Sequence, residues 1–131
     1  AAANCNTRNN KQSGVALMGA DSVGHLSSHT SADNGIDGVH VGQGAQLKLT
    51  DSTIERSKRM GLSVLGAETK AAVSKCTITD NGEYGISQGQ GAEVSCEETK
   101  VIANEKGDVS GTVSENGVVN ASARGEEVPK L

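Results

Sequence analysis

A glycine followed by alternating apolar residues recurs down this chain. Gly14, Gly38, Gly61 and Gly85 open the stretches Val15-x-Leu17, Val39-x-Val41, Leu62-x-Val64 and Ile86-x-Gln88, and Gly107 continues the series. The intervals between these glycines are 24, 23, 24 and 22 residues. Alternation with period two marks a strand with one buried face. Further positions follow at fixed steps. After Val41 come Leu47, Leu49, Ser52 and Ile54; after Gln88 the same steps give Val94, Cys96, Thr99 and Val101. After Leu17 they give Val23, His25, Ser28 and Thr30, and after Val64, with one extra residue, Ala71, Val73, Cys76 and Ile78. Each repeat thus predicts three short strands separated by turns.

One such repeat cannot bury its inward residues alone. Stacking repeats about 4.8 Å apart sets like residue on like and runs backbone hydrogen bonds between repeats. The predicted fold is all-β: a right-handed parallel β-helix, a solenoid of about five coils of 22–24 residues. The expected inward columns are Val15/Val39/Leu62/Ile86, Val23/Leu47/Ala71/Val94 and Thr30/Ile54/Ile78/Val101, with Ser28/Ser52/Cys76/Thr99 as a column of small residues near a corner. The recurring glycines, with Asp33-Asn34-Gly35 and Asp80-Asn81-Gly82, are expected to supply the positive φ that tight corners need. Amphipathic helical periodicity is missing, and leucine is too sparse for a leucine-rich repeat. Cys5-x-Thr7 stands before Gly14 as Cys76-x-Ile78 stands before Gly85, so the chain is expected to begin inside the last strand of an incomplete coil. Residues 1–120 form the predicted β-helix domain. The register blurs after Gly107, where Val109, Val113, Val118 and Val119 read as a further partial coil, and residues 121–131 read as a polar tail containing Pro129.

Composition sharpens this picture. The chain has 131 residues, no Trp, no Phe and one aromatic residue, Tyr84. A thin core of stacked Val, Ile, Leu, Ala and Cys fits better than a thick core that leans on aromatic rings. The net charge is −4, with both signs scattered. That gives no electrostatic footprint for nucleic acid, and the apolar runs are too short to span a bilayer. No signal peptide is visible. Cys5, Cys76 and Cys96 are odd in number and lack CxxC spacing, so a disulfide scaffold or zinc site is not expected. They read as small buried residues in a reducing compartment, which places the protein inside a cell or organelle.

The stretches DSTIERSKRMGLSV, from Asp51 to Val64, and SKCTITDNGEYGIS, from Ser74 to Ser87, resemble the short tandem repeats of the pectin-lyase-like superfamily of right-handed β-helices. The resemblance runs from about Asn4 to Ser110. It implies the fold but no single activity, because the superfamily includes polysaccharide lyases, glycoside hydrolases, phage tailspikes and non-catalytic interaction modules. In its polysaccharide-cleaving members, the resemblance implies, chemistry sits on the outward face of the first strand of each coil. Hydrolases need paired carboxylates there, and lyases need calcium-binding acids or a basic residue that removes a proton. The matching positions are Ala16, His40, Ser63 and Ser87, followed by Met18, Gly42, Leu65 and Gly89, and no carboxylate pair falls among them. Asp37 precedes Gly38, but its equivalents are Met60 and Tyr84. No catalytic, cofactor-binding or metal-binding residue is assigned, and an enzyme is not expected.

His40 points outward and is the best single candidate for chemistry, though an unassisted surface histidine is the simpler reading. His25 is expected in an inward column, and His29 lies in a Ser/Thr-rich corner. Gly42-Gln43-Gly44-Ala45 and Gly89-Gln90-Gly91-Ala92 share one offset, which marks a corner between first and second strands rather than a phosphate cradle. Arg56, Lys58 and Arg59 form a basic turn facing acidic neighbouring turns. They read as surface ion pairs or, with His40, as a partner-docking site. The expected function is a non-enzymatic structural or protein-interaction module within a larger assembly, with other protein subunits covering the N-terminal end. The alternative is a carbohydrate-binding or polysaccharide-cleaving fragment.

Overall fold

The computed structural model describes residues 2–3, 6–102, 104–110, 114–116 and 119–121. Cys5, Val113, Val118 and residues 122–131, with the tail's Pro129, lie outside them. The strands, numbered in chain order, form three parallel sheets. The first contains β3 (Val15–Met18), β6 (Val39–Gly42), β9 (Leu62–Leu65), β12 (Tyr84–Gly89) and β15 (Gly107–Ser110). The second contains β1 (Ala2–Ala3), β4 (Val23–Ser27), β7 (Gln46–Thr50), β10 (Lys70–Ser74), β13 (Glu93–Glu97) and β16 (Ser114–Asn116). The third contains β2 (Asn6–Arg8), β5 (Thr30–Ala32), β8 (Thr53–Glu55), β11 (Thr77–Thr79), β14 (Lys100–Ile102) and β17 (Val119–Ala121). In each sheet every strand pairs with the strand three places along the chain, which is the topology of a solenoid. The coil beyond Gly107 is therefore continued by all three sheets, and Thr7 sits one coil before Ser31 rather than before the expected Thr30. The chain enters one strand earlier than expected, because Ala2 and Ala3 already pair with β4.

The core follows the columns. Val15, Val39, Leu62 and Ile86 stack in register on the first sheet, with Val109 above Ile86. Leu47, Ala71 and Val94, then Leu49, Val73 and Cys96, line the second sheet; Ile54, Ile78 and Val101 line the third. Nearly all of these side chains are buried, and β-branched residues suit their pleated, closely neighboured positions. Gln88 occupies an inward position above Val64, and its amide donates to the Ala92 carbonyl.

The first coil departs from the expected phase by one residue. Gly24, not Val23, pairs with Leu47; Leu26, not His25, pairs with Leu49; Ser31, not Thr30, pairs with Ile54. Val23 is 74% exposed. His29, not Ser28, joins the small corner column, and it is buried. The cause is a longer first corner: Met18 to Val23 spans the distance that Gly42 to Gln46 covers with one residue fewer. The coil from Gly61 has the same extra residue, so long and tight first corners alternate. The long corners are Gly19-Ala20-Asp21-Ser22 and Gly66-Ala67-Glu68-Thr69; the tight ones are the two Gly-Gln-Gly-Ala stretches. Each closes with the fourth residue's N–H donating to the first residue's carbonyl.

The expected role of the column glycines also needs correction. Gly14, Gly38, Gly61 and Gly85 do not adopt positive φ, nor do Gly35 and Gly82; of the series only Gly107 does, at 143°. Their smallness serves close approach: a Cβ on Gly61 would lie 2.5 Å from Ile78 Cγ2 and 2.7 Å from the Gly85 carbonyl oxygen. The left-handed corner positions fall instead on Asn9, Asp33, Arg56 and Asp80 after the third sheet, and on Ser28, Asp51, Lys75 and Glu98 after the second.

Two polar ladders run inside the corners. Asn34, Asn81 and Asn104 are buried at the third corner. Asn34 Oδ1 accepts from the Asn10 backbone and side-chain amides, and Asn104 Oδ1 accepts from those of Asn81. Ser57 holds the position between Asn34 and Asn81; its backbone N–H donates to Asn81 Oδ1. At the second corner, Ser52, Cys76 and Thr99 each donate to the carbonyl two residues back. Such bonds satisfy buried polar groups that would otherwise oppose burial.

Candidate functional site

Strand alternation places Ala16, His40, Ser63 and Ser87 in one outward row on the first sheet. The one ionisable side chain in that row is His40. Just before the strand, Asp37 is only 6% exposed. Its Oδ1 accepts from the Met60 N–H at 3.1 Å, and its Oδ2 lies 3.6 Å from His40 Nδ1. Burial pushes the Asp37 carboxyl above its ordinary range, while the Met60 N–H, Arg59 and His40 pull the other way. His40 Nδ1 is itself buried without a hydrogen bond, so the ion-pair contact with Asp37 is its nearest polar engagement.

The basic turn is divided. Arg56 makes a two-pronged contact with Asp33, Nε to Oδ1 at 2.8 Å and Nη2 to Oδ2 at 3.0 Å, and also reaches Glu55 Oε1 at 2.9 Å. The hydrogen bond from Arg56 holds the Asp33 carboxyl below its ordinary range. Arg59 faces Glu83 at 3.8 Å, and Lys106 reaches the same carboxylate at 3.9 Å. Lys58 is exposed and makes no ion pair among the described residues. The structure thus brings His40 and Arg59 toward Asp37, ties Arg56 to Asp33 and Glu55, and leaves Lys58 as the available cation of the turn.

The other histidines fall elsewhere. His25 is exposed on the second sheet beside Lys48, not in the core. His29 is the buried one: its Nε2 shares a hydrogen bond with Thr7 Oγ1 at 3.2 Å, and its Nδ1 has no partner. Burial lowers its affinity for a proton. Among the described residues no group of three or more His, Cys, Asp or Glu side chains is placed to hold a metal ion. Cys76 and Cys96 are buried in different columns with no disulfide between them, and burial pushes the Cys76 thiol up, away from thiolate chemistry.

A trough of about 460 Å³ lies along the second sheet, with Val23, Gln46, Lys48, Lys70, Glu93 and Ser95 in its lining. It crosses four successive coils, and Lys70 and Glu93 pair across it at 3.6 Å. Sequence reasoning weighed the outward face of the first strand and the basic turn, not the outward face of the second strand, and so missed this surface. Its signal was present in the outward positions Gln46, Lys48, Lys70, Glu93 and Ser95, which alternate with the inward residues Leu47, Ala71 and Val94.

No helix among the described residues is long and apolar enough to cross a membrane. The family model for a right-handed β-helix region matches residues 2–123. No curated protein and no solved structure matches the chain.

Proposed function

The chain belongs to the right-handed β-helix family, and from that premise we propose that it is a non-enzymatic structural and protein-interaction module, a subunit or fragment of a larger assembly. The observation that carries this reading is the state of the carboxylates around the first sheet. Asp37 is buried against the Met60 N–H and His40, Asp33 is gripped by Arg56, and Glu83 is shared by Arg59 and Lys106. Acid–base cleavage of a polysaccharide needs one proton donor and one base free to meet substrate, and these groups are spent on one another. The docking side chains in this reading are Lys58, Arg59, Arg56 and His40. A neighbouring subunit covers the N-terminal side, where β3 has a hydrogen-bonded neighbour on one side only. The buried thiols of Cys76 and Cys96 support a reducing intracellular or organellar setting.

The decisive experiment incubates the purified chain with a panel of acidic and neutral polysaccharides and follows reducing ends and unsaturated products. No turnover is expected. Turnover lost on D37N overturns the reading. A carbohydrate-binding role is the second reading, favoured by the trough on the second sheet, where Gln46, Lys48, Lys70, Glu93 and Ser95 stand among apolar lining. Saturable oligosaccharide binding that is lost in a Lys48→Ala, Lys70→Ala double variant, without cleavage, selects it.

A further inference from the structure

Two members of the asparagine ladder, Asn34 and Asn81, are each followed by glycine, Gly35 and Gly82. Asn-Gly is the step at which the following backbone nitrogen most readily attacks the asparagine side chain. The following backbone nitrogen gives up its proton and bonds to the side-chain Cγ, and the amide nitrogen leaves as ammonia. Water then opens the resulting succinimide at either carbonyl, giving aspartate or isoaspartate. Overall, one water is consumed and one ammonia released, with no oxidant or metal required.

The folded corner opposes every part of this step. Both asparagines are buried. The Gly35 N–H donates to the Asn10 carbonyl at 2.8 Å and to the Gln12 carbonyl at 3.1 Å, and the Gly82 N–H donates to the Ser57 carbonyl at 2.8 Å. The amide groups are held as well: Asn34 Nδ2 donates to the Thr7 carbonyl and Ser31 Oγ, and Asn81 Nδ2 donates to Asn104 Oδ1. A nitrogen whose proton is engaged and a side chain that is fixed elsewhere cannot close the ring. Neither glycine can be exchanged to remove the liability, because a Cβ on Gly35 would collide with the Lys11 carbonyl oxygen and one on Gly82 with that of Lys58.

We infer that Asn34–Gly35 and Asn81–Gly82 are deamidation sites that the stacked coils hold closed, so that opening of the third corner is recorded covalently. The record is permanent in its effect. A carboxylate at position 34 has no proton to donate to the Thr7 carbonyl. Isoaspartate adds a methylene to the backbone and shifts the register of the strands that follow. The two sites differ in order of reaction. Asn81 is stapled on one side by Asn104, which accepts from both its backbone and side-chain amides. The residue in that position above Asn34 is Ser57, whose hydroxyl bonds nothing. Asn34 is held by more bonds, but its partners Asn10 and Gln12 are exposed, whereas Asn81 is held by buried Ser57 and Asn104, so Asn34 reacts first.

The test is peptide mapping by mass spectrometry of the whole chain during incubation at mildly alkaline pH, with and without urea. Conversion at both sites is expected to be at least about tenfold slower in the folded chain, since it requires local opening, and Asn34 is expected to lead Asn81. The variant S57N should slow Asn34 more than Asn81, because it gives Asn34 a new acceptor and adds only a second donor at Asn81 Oδ1, which the Ser57 N–H already engages. Equal rates with and without urea overturn the inference. So does Asn81 converting first, or no effect of S57N at Asn34 in a variant whose circular dichroism is native. Should S57N not fold, the urea comparison and the order of the two sites still decide.

Discussion

The Ser57 backbone N–H donates to Asn81 Oδ1 at 3.0 Å, yet the Ser57 hydroxyl finds no partner of its own. The asparagine ladder is broken at that one side chain. The space for an amide is present, because Gly38 faces Ser57 as Gly14 faces Asn34 and Gly61 faces Asn81. S57N is therefore expected to stabilise the fold by about 1 kcal/mol, the usual net value of a buried hydrogen bond. A rise in Tm of a few degrees checks it. A fall would show that the backbone at Ser57 has closed over the gap.

Glycines in this fold serve two different needs, and alanine substitution separates them. G61A drives a methyl into Ile78 and the Gly85 carbonyl, which overpacks the core by about 1–3 kcal/mol. G91A meets only Ala67 at ordinary contact distance and suffers instead from its positive φ, a penalty of about 1 kcal/mol. Urea unfolding should rank G61A as the more damaging, and the reverse order would mean that the columns tolerate a Cβ.

Acid should loosen the first coil through His29. The folded protein holds this imidazole neutral, with its pKa below the ordinary value near about 6.5. The unfolded chain then binds more protons below that value, so the contribution is whole above it and is lost as pH falls through the folded pKa. Asp37 acts with the opposite sign. Its folded pKa is raised, so protonation near the acid end relieves part of its burial. Stability measured from pH 7 to pH 5 should decline in the parent chain and less steeply in H29S, which copies Ser52 one coil on. Equal slopes would acquit the histidine.

The two buried cysteines should respond differently to serine. Cys76 Sγ donates to the Ser74 carbonyl at 3.1 Å, the bond that Ser52 and Thr99 make in the neighbouring coils. C76S is expected to be neutral within about 0.5 kcal/mol. Cys96 continues the apolar column of Leu49 and Val73, where serine is smaller and more polar than the thiol, and C96S is expected to destabilise by about 1–3 kcal/mol. Chemical denaturation of both variants compares them directly.

Much of the fold was legible because Gly38, Gly61 and Gly85 anchor the phase of each coil, and from each the inward positions can be counted. The count failed in the first coil. A corner one residue longer shifted everything after Met18, and Val23 mimicked an inward residue while Leu26 was passed over. The asparagine ladder was hidden for another reason. Asn34 and Asn81 sit in Asp-Asn-Gly stretches, where turn chemistry accounts for an asparagine without any partner a coil away. Of the candidate site, opposite charges on adjacent turns foretold the Arg59–Glu83 contact. The grip of Arg56 on Asp33 runs backwards to the preceding coil, a direction that spacing alone did not favour.

The alternating first corners make this solenoid a two-stroke structure. A tight corner nests on the long one before it: Gly44 lies over Ala20 and Gly91 over Ala67, with no room to spare at the first of these. From Gly14 to Gly61, and again from Gly38 to Gly85, the chain returns to its starting phase only after 47 residues. Over the four coils from Gly14 the period is therefore a pair of coils, although each coil alone satisfies the sheets. Adding or removing a pair leaves every corner seated on its complement, whereas a single coil would set like corners against each other. A rod built this way keeps its shape when it lengthens by doublets.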